Sequence, residues 1–337
     1  MRILIADAQF ADDHALERIA AGPLEIDIAR ATSLAEVPQE LLAAADAIVA
    51  YHRMRYDAAF CEAARACRIL VRAGVGTDNV DLAAWRARGI PVCNVPDYAT
   101  CELADHALAL LLALSRGIEA YRDRLAANPS AWHPLPLPAT VRRLAGARLA
   151  IVGYGRVGAA VARRAQAFGM EVGCFSPRAA ARALEDAGVH RYATLHAALA
   201  SADAVSLHAA LRPDTARMLD AAAIAAMKPG ALVVNTARGG LVDERALLEG
   251  LHDGRVAGAA LDVLEREPPE ADHPLLAAAT GRDPTLAGRV IITPHAAWAS
   301  APAMRDMRVR AVETARAFLL EGTLTHCVNL APESEVR

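Results

Sequence analysis

Three residues have the types needed to move a proton beside a bound carboxylate, and each stands just after an apolar run that reads as a buried strand. His295 ends Ile291-Ile292-Thr293-Pro294, and Arg238 follows Leu232-Val233-Val234-Asn235-Thr236-Ala237. Glu267 lies five residues beyond Asp262 in Leu261-Asp262-Val263-Leu264-Glu265-Arg266-Glu267-Pro268. Reducing a 2-oxo acid needs a proton for the carbonyl oxygen as hydride reaches C2, and histidine is the side chain poised to supply it near neutral pH. A guanidinium polarises the carbonyl and grips the carboxylate with two parallel bonds, which is a part for Arg238. Taken singly, each residue has an ordinary reading: a satisfied structural histidine, a solvated loop carboxylate, a turn arginine before Gly239-Gly240. Open α/β sheets bind ligands at strand carboxyl ends, so three such residues after three strands point to one edge and one site.

Hydride must come from a carrier, and the chain has a place for one. The apolar run Leu149-Ala150-Ile151-Val152 leads straight into Gly153-Tyr154-Gly155-Arg156-Val157-Gly158 and then into a helical pattern. Gly153 permits the tight turn, Gly155 lets the backbone approach a pyrophosphate, and Gly158 lets the helix pack closely, its N-terminus facing the phosphates. The bare spacing also occurs in turns that bind nothing; the strand before and the helix after make a dinucleotide the reading. About twenty residues on, an NAD site usually carries an acid for the ribose hydroxyls. Here that strand ends in Ser176-Pro177-Arg178. A serine removes the repulsion a carboxylate exerts on a 2′-phosphate, and Arg178, with Arg182, could bind that phosphate. The cofactor is therefore NAD(P)(H), leaning to NADP, unless both arginines simply belong to a solvated helix face.

These sites need scaffolds. Ile3–Ala6, Ile26–Ala29, Ala47–Ala50, Ile69–Ala73 and Val92–Val95 read as strands with helices between, which predicts a parallel sheet. A long amphipathic helix is expected from Cys101 to Tyr121, then a Pro-rich connection from Pro129 to Pro138. Six further strand candidates, from Leu149–Val152 to Val290–Thr293, describe a second sheet, and a final helix from Pro302 to Leu320 returns to the first unit. The expected fold is α/β with two doubly wound parallel-sheet domains: a flavodoxin-like substrate domain from 1–99 and 299–337, and a Rossmann domain from 100–298. A chain of 337 residues is long enough for two cores.

With 54% apolar residues, 22% charged and a net charge of −3, the chain is globular and has no general attraction for nucleic acid or anionic lipid. The six cysteines form no Cys-x-x-Cys pair, so reduced buried thiols are expected, with no metal. Strand-like sequence begins within two residues of Met1, leaving no room for a secretion signal. The longest apolar stretch, Ala107 to Leu114, is far short of the roughly 20 residues a membrane span requires. A cytoplasmic protein with a small-molecule partner follows.

Asn235-x-x-Arg238-Gly239, Asp262-Val263-x-x-x-Glu267-Pro268 and Thr293-Pro294-His295 resemble the D-isomer-specific 2-hydroxyacid dehydrogenase family, in order and at compatible spacing over nearly the whole chain. Tyr51-His52, Val71-Arg72-x-Gly74-x-Gly76-x-Asp78-Asn79-Val80-Asp81, Val92-Cys93-Asn94-Val95-Pro96 and His295-Ala296-Ala297-Trp298 are similar to its carboxy-terminal-binding-protein-like branch. The resemblance implies that Glu267 tunes and orients His295, as a carboxylate does by favouring imidazolium. It further implies that His208, Ala209, Ala210 and Thr215 lie beside ribose and phosphates, Thr236 and Ala237 under the nicotinamide, and Asp262 at its carboxamide. Asp262 also ends a wholly apolar run, where a carboxylate is costly without a donor, and an amide is one.

The amides of Gly74-Val75-Gly76 could form a concave site for a substrate carboxylate, with Arg72 adding charge. The resemblance brings Arg72 and His52 to the substrate and Trp298 to the pocket wall, where an indole favours an apolar tail over a phosphate. Each has an alternative: Trp298 in the core, Arg72 on a surface strand, His52 in a loop. Two departures stand out: Ser176 replaces an acid, which bears on the choice of cofactor, and the segment Leu275 to Arg289 is longer than usual, which bears on the shape of the pocket rim. The implied activity is an NAD(P)-dependent oxidoreductase acting on a small 2-oxo or 2-hydroxy acid as a homodimer paired through the Cys101–Tyr121 helix. The competing readings are a dinucleotide-sensing, corepressor-like binding protein and, on the same fold, the oxidation of a small inorganic or one-carbon anion.

Overall fold

Residues 3–5 are wholly buried because their strand is central in a parallel sheet, where apolar runs rather than alternation are the rule. The computed structural model describes residues 1–330 and divides the chain into two units, one of Met1–Ala99 with the residues from Ala299 onward, the other of Thr100–Trp298. The first unit contains β1 (Arg2–Ile5), α1 (Ala15–Ala21), β2 (Glu25–Ile28), α2 (Gln39–Ala44), β3 (Ala47–Ala50), α3 (Ala58–Ala63), β4 (Ile69–Arg72), α4 (Leu82–Ala87) and β5 (Val92–Asn94). Its strands run parallel in the order β2-β1-β3-β4-β5, the flavodoxin-like arrangement, so the chain reverses direction across the sheet between β1 and β3. Trp85, Tyr56 and Phe60 fill one side of it, with the Trp85 indole donating to the Tyr56 carbonyl at 3.0 Å.

The second unit contains α5 (Thr100–Arg116), α6 (Ile118–Ala127), β6 (Arg148–Val152), α7 (Arg156–Ala167), β7 (Glu171–Phe175), α8 (Ala181–Asp186), β8 (His190–Arg191), α9 (Leu195–Ser201), β9 (Ala204–Leu207), α10 (Ala221–Ala226), β10 (Ala231–Asn235), α11 (Glu244–His252), β11 (Val256–Leu261), α12 (Pro274–Ala279) and β12 (Val290–Ile292). Its seven parallel strands lie in the order β12-β11-β10-β9-β6-β7-β8, a doubly wound Rossmann sheet whose switch point falls between β6 and β9. The chain then re-enters the first unit as α13 (Ala301–Glu321), capped by the Ser300 hydroxyl on the Ala303 amide. Buried Arg308 of α13 grips Glu17 of α1 at 2.6 and 2.7 Å, and Asp12 at 2.6 and 2.8 Å.

The structure departs from two expectations. The Cys101–Tyr121 helix is two helices, because Gly117 adopts φ +63 and breaks the run between α5 and α6. The short edge strand β8 has too few residues for an alternation or an apolar run to announce it. The longer Leu275–Arg289 segment folds as α12 and a 3-10 turn at Pro284–Leu286, with Leu275, Ala278 and Leu286 buried in the core. Arg289 anchors its end on the carbonyls of Ala257, Leu251 and Val256 at 2.8, 2.6 and 2.9 Å. Among the described residues, no helix is long and apolar enough to cross a membrane, and no group of three or more His, Cys, Asp or Glu could hold a metal ion.

Candidate active site

The glycine turn lies at the switch point of the second sheet, and each glycine meets a separate constraint. A Cβ at Gly158 would fall 2.2 Å from the Gly153 carbonyl oxygen, so only glycine lets α7 begin so close to the turn. Gly153, at φ +96, passes against His208 and Ala209, which would lie 2.7 Å from a side chain there. Gly155 caps α7 and has open space where its Cβ would be, as a backbone approached by a pyrophosphate requires. Tyr154 and Val157 are half-buried and Arg156 is exposed. The buried Thr236 hydroxyl, after β10, has no hydrogen-bond partner among the described residues, so a polar group of a bound nicotinamide ring system fits there.

The remaining residues expected near the cofactor cluster after β9 and β7. His208 shares a 2.8 Å hydrogen bond with the Ser206 hydroxyl, and burial pushes its imidazole down to about 4, so it is neutral at physiological pH. The Thr215 hydroxyl donates to the Ala210 carbonyl at 2.7 Å and accepts from the Arg212 amide at 2.8 Å, closing the loop that follows Ala209. Ser176 is half-buried at the end of β7 and Arg178 is exposed, while Arg182 is paired along its own helix with Asp186 at 3.7 Å.

His295 and Glu267 meet: Nδ1 of the imidazole lies 2.7 Å from a Glu267 carboxylate oxygen. The other Glu267 oxygen accepts the Leu264 amide at 3.0 Å. Burial alone would raise the Glu267 carboxyl, but the hydrogen bond and charge of His295, the Leu264 amide and the nearby Arg238 guanidinium hold it below the ordinary glutamate range. Because Glu267 occupies Nδ1, Nε2 is the ring nitrogen left to exchange a proton with a ligand. Arg238 is carried on a loop closed by buried Asn235, whose amide donates to the Arg238 carbonyl at 2.8 Å and whose carbonyl accepts the Ala237 amide at 3.0 Å. Gly239, next along, packs on the backbone of Leu264 and Glu265, so the Arg238 and Glu267 loops touch directly.

His295 has φ +52, a left-handed conformation that costs a non-glycine residue about 1–2 kcal/mol. Its surroundings offset this. The His295 amide donates to the Asp262 carbonyl at 2.8 Å, and the Asp262 carboxylate takes the Thr293 hydroxyl at 2.5 Å and the amides of Ala296 and Ala297 at 2.8 and 2.9 Å. The desolvation argument for a nicotinamide at Asp262 is thereby corrected: protein donors already meet the carboxylate. Its first role is to clamp the residues on either side of His295.

Residues 108–297 match the D-isomer specific 2-hydroxyacid dehydrogenase, NAD binding domain, family. The chain belongs to this family. It is 37% identical to a glycerate dehydrogenase of Methylorubrum extorquens over 75% of this chain and 76% of that protein. It is 35% identical to a D-3-phosphoglycerate dehydrogenase of Archaeoglobus fulgidus over 88% of its length, and spans 53% of that longer relative. A solved glyoxylate reductase from Paecilomyes thermophila superposes with a TM-score of 0.82 at 26% identity, covering 97% of this chain and 98% of the other.

In the first unit of this 2-hydroxyacid dehydrogenase family member, Gly74 takes φ +140, and its missing side chain leaves room for the Arg72 guanidinium folded over it. Arg72 is thus half-buried beside the Gly74-Val75-Gly76 turn rather than a surface charge, and donates to the Ala73 carbonyl at 2.7 Å. His52 is exposed between Tyr51 and Arg53, whose amides both donate to the wholly buried Asp7 carboxylate at 2.7 and 2.9 Å. Asp7 follows β1 and His52 follows β3, so the pair stands at that sheet's switch point. Trp298 is half-buried and belongs to the second unit, not to a core.

Asn235, Gly239 and Thr293 support the loops of the second unit, and Asp7 the backbone around His52 in the first, without having stood out as candidates. Asn235 and Thr293 lie inside the quoted motifs, and a buried Asn ending a strand could have signalled a loop clamp. Asp7 and a further residue in α5, His106, gave no local signal, because their partners are distant in sequence.

Proposed function

We propose that this chain transfers a hydride between a nicotinamide dinucleotide and C2 of a small D-2-hydroxy or 2-oxo acid. The observation that carries this is the 2.7 Å His295–Glu267 pair on the ligand-binding edge of a dinucleotide fold. His295 gives its Nε2 proton to the carbonyl oxygen on reduction and takes it back on oxidation, while Glu267 holds the ring by Nδ1 and stabilises the imidazolium. Arg238 holds the substrate carboxylate and polarises the carbonyl. In the first unit the amides of residues 74–76, with Arg72 and His52, are offered to a carboxylate, and in the second unit Trp298 is offered to an apolar tail. A dinucleotide would be held by 153–158 with its nicotinamide near Thr236 and Ala237, and would supply the hydride-carrying carbon.

The test mixes purified protein with NADH or NADPH and glyoxylate, hydroxypyruvate, pyruvate and branched or aromatic 2-oxo acids, following absorbance at 340 nm. Turnover is expected with at least one; none would sink the reading. The left-handed His295 held on Glu267 favours turnover over the alternative, a corepressor-like sensor, whose relatives keep such a set.

For the cofactor we propose NADP, because Ser176 stands where an acid would repel a 2′-phosphate and Arg178 is exposed two residues on. Ser176→Asp should move the NADPH-to-NADH ratio of kcat/KM towards NADH by about tenfold or more, as one unscreened charge contact allows. An unchanged ratio would show that another residue reads the ribose.

A homodimer is also proposed, on different grounds from those the sequence offered. Helix α5 buries its own apolar residues within its unit, and the exposed apolar surface lies beyond it: Ile118, Trp132, Leu135 and Leu137 are 53, 84, 59 and 57% exposed. Light scattering should give twice the chain mass, and Trp132→Glu with Leu135→Glu should give the monomer. A wild-type monomer would end the proposal. The six free thiols support a reducing cytoplasm.

A further inference from the structure

We propose that His106 is a positioning residue for His295, acting through Thr293 and Asp262. His106 sits in α5 among buried Ala104, Ala107 and Leu108, and its Nε2 is 3.0 Å from the Thr293 hydroxyl and 3.7 Å from a carboxylate oxygen of Asp262. The direction of these bonds follows from counting protons. A threonine hydroxyl has one hydrogen. The 2.5 Å contact with Asp262 takes it, since that carboxylate also accepts the Ala296 and Ala297 amides and has no proton of its own to give. Thr293 can therefore only accept from His106, so Nε2 of His106 carries a hydrogen.

In the other tautomer a ring lone pair would face both the Thr293 oxygen and Asp262, and the clamp would be pushed apart. The chain of contacts runs from a helix fixed in the unit's core, through Thr293 two residues before His295, to the amides one and two residues after it. It holds the left-handed turn that aims the imidazole. The role rests on the reading of His295 as proton donor, but the hydrogen-bond direction stands apart from it.

The experiment uses full-length protein labelled with ring 15N-histidine, with long-range 1H–15N spectra of the wild type, His106→Gln and His106→Leu. The His106 signal, assigned by its loss in both variants, should show hydrogen on Nε2, and the His295 signals should move in His106→Leu. A His106 signal with hydrogen on Nδ1 alone, or unmoved His295 signals in His106→Leu, would overturn the proposal. With a 2-oxo acid that the wild type reduces, His106→Leu should lower kcat about tenfold with KM changed less than about twofold, and His106→Gln, whose amide can donate from the Nε2 position, should recover to within about threefold. Equal losses in the two variants would reduce His106 to packing. If the wild type reduces none of the acids, the dehydrogenase reading fails, while the spectra still decide the clamp.

Discussion

His295→Asn is expected to lower turnover by about three orders of magnitude while leaving dinucleotide affinity within about threefold. Asparagine is the informative replacement because His295 sits at φ +52, a region asparagine tolerates better than alanine. The amide bonds to Asp262 and Thr293 that hold the turn use the backbone alone, so they survive the substitution. What is lost is the imidazole ring and its 2.7 Å bond to Glu267. Single-turnover reduction at saturating NADPH and 2-oxo acid measures the chemical step, and dinucleotide fluorescence measures binding. A variant within tenfold of wild type in the chemical step would show that another group donates the proton.

Gly239→Ala tests the contact between the Arg238 and Glu267 loops. An added Cβ would lie 1.9 Å from the Leu264 carbonyl carbon, 2.1 Å from its oxygen and 2.3 Å from the Glu265 nitrogen. Neither side can yield cheaply. Asn235 pins the loop before Gly239, while Glu244 accepts the Glu265 amide at 2.7 Å and Arg217 binds the Glu265 side chain at 2.8 Å. The displacement therefore reaches Arg238 on one side and Glu267 on the other. A fall in kcat/KM of about 100-fold or more is expected, with a stability loss of about 1–3 kcal/mol by denaturant unfolding. Near-normal kcat/KM would mean that the loops separate without disturbing either side chain, and that their contact has no part in placing the pair.

Much of this was legible in the chain itself. Buried parallel strands are written as unbroken apolar runs, and polar residues after them stand out by contrast, which is why Arg238, Glu267 and His295 could be picked before any geometry. Gly153, Gly155 and Gly158 were equally readable, since their spacing falls within six consecutive residues, although the backbone of His208 and Ala209 that crowds Gly153 is visible only in the fold. Where local signals conflicted or were faint, the reading slipped. Gly117 sits in an otherwise helical pattern and ends α5 all the same, and β8 is two residues long.

The sequence by itself determined the fold class, the dinucleotide turn and the identity of the three candidate catalytic side chains, because each is encoded in short-range periodicity or spacing. Only the tertiary structure decided how they are held. Glu267 reaches His295 across 28 residues, Asp262 clamps amides 34 and 35 residues away, and His106 meets Thr293 across 187. Such contacts depend on which strands become neighbours in the sheet. That is set by the packing of whole apolar faces rather than by any residue's immediate neighbours, so the trio is visible in the sequence and its supports are visible only in the fold.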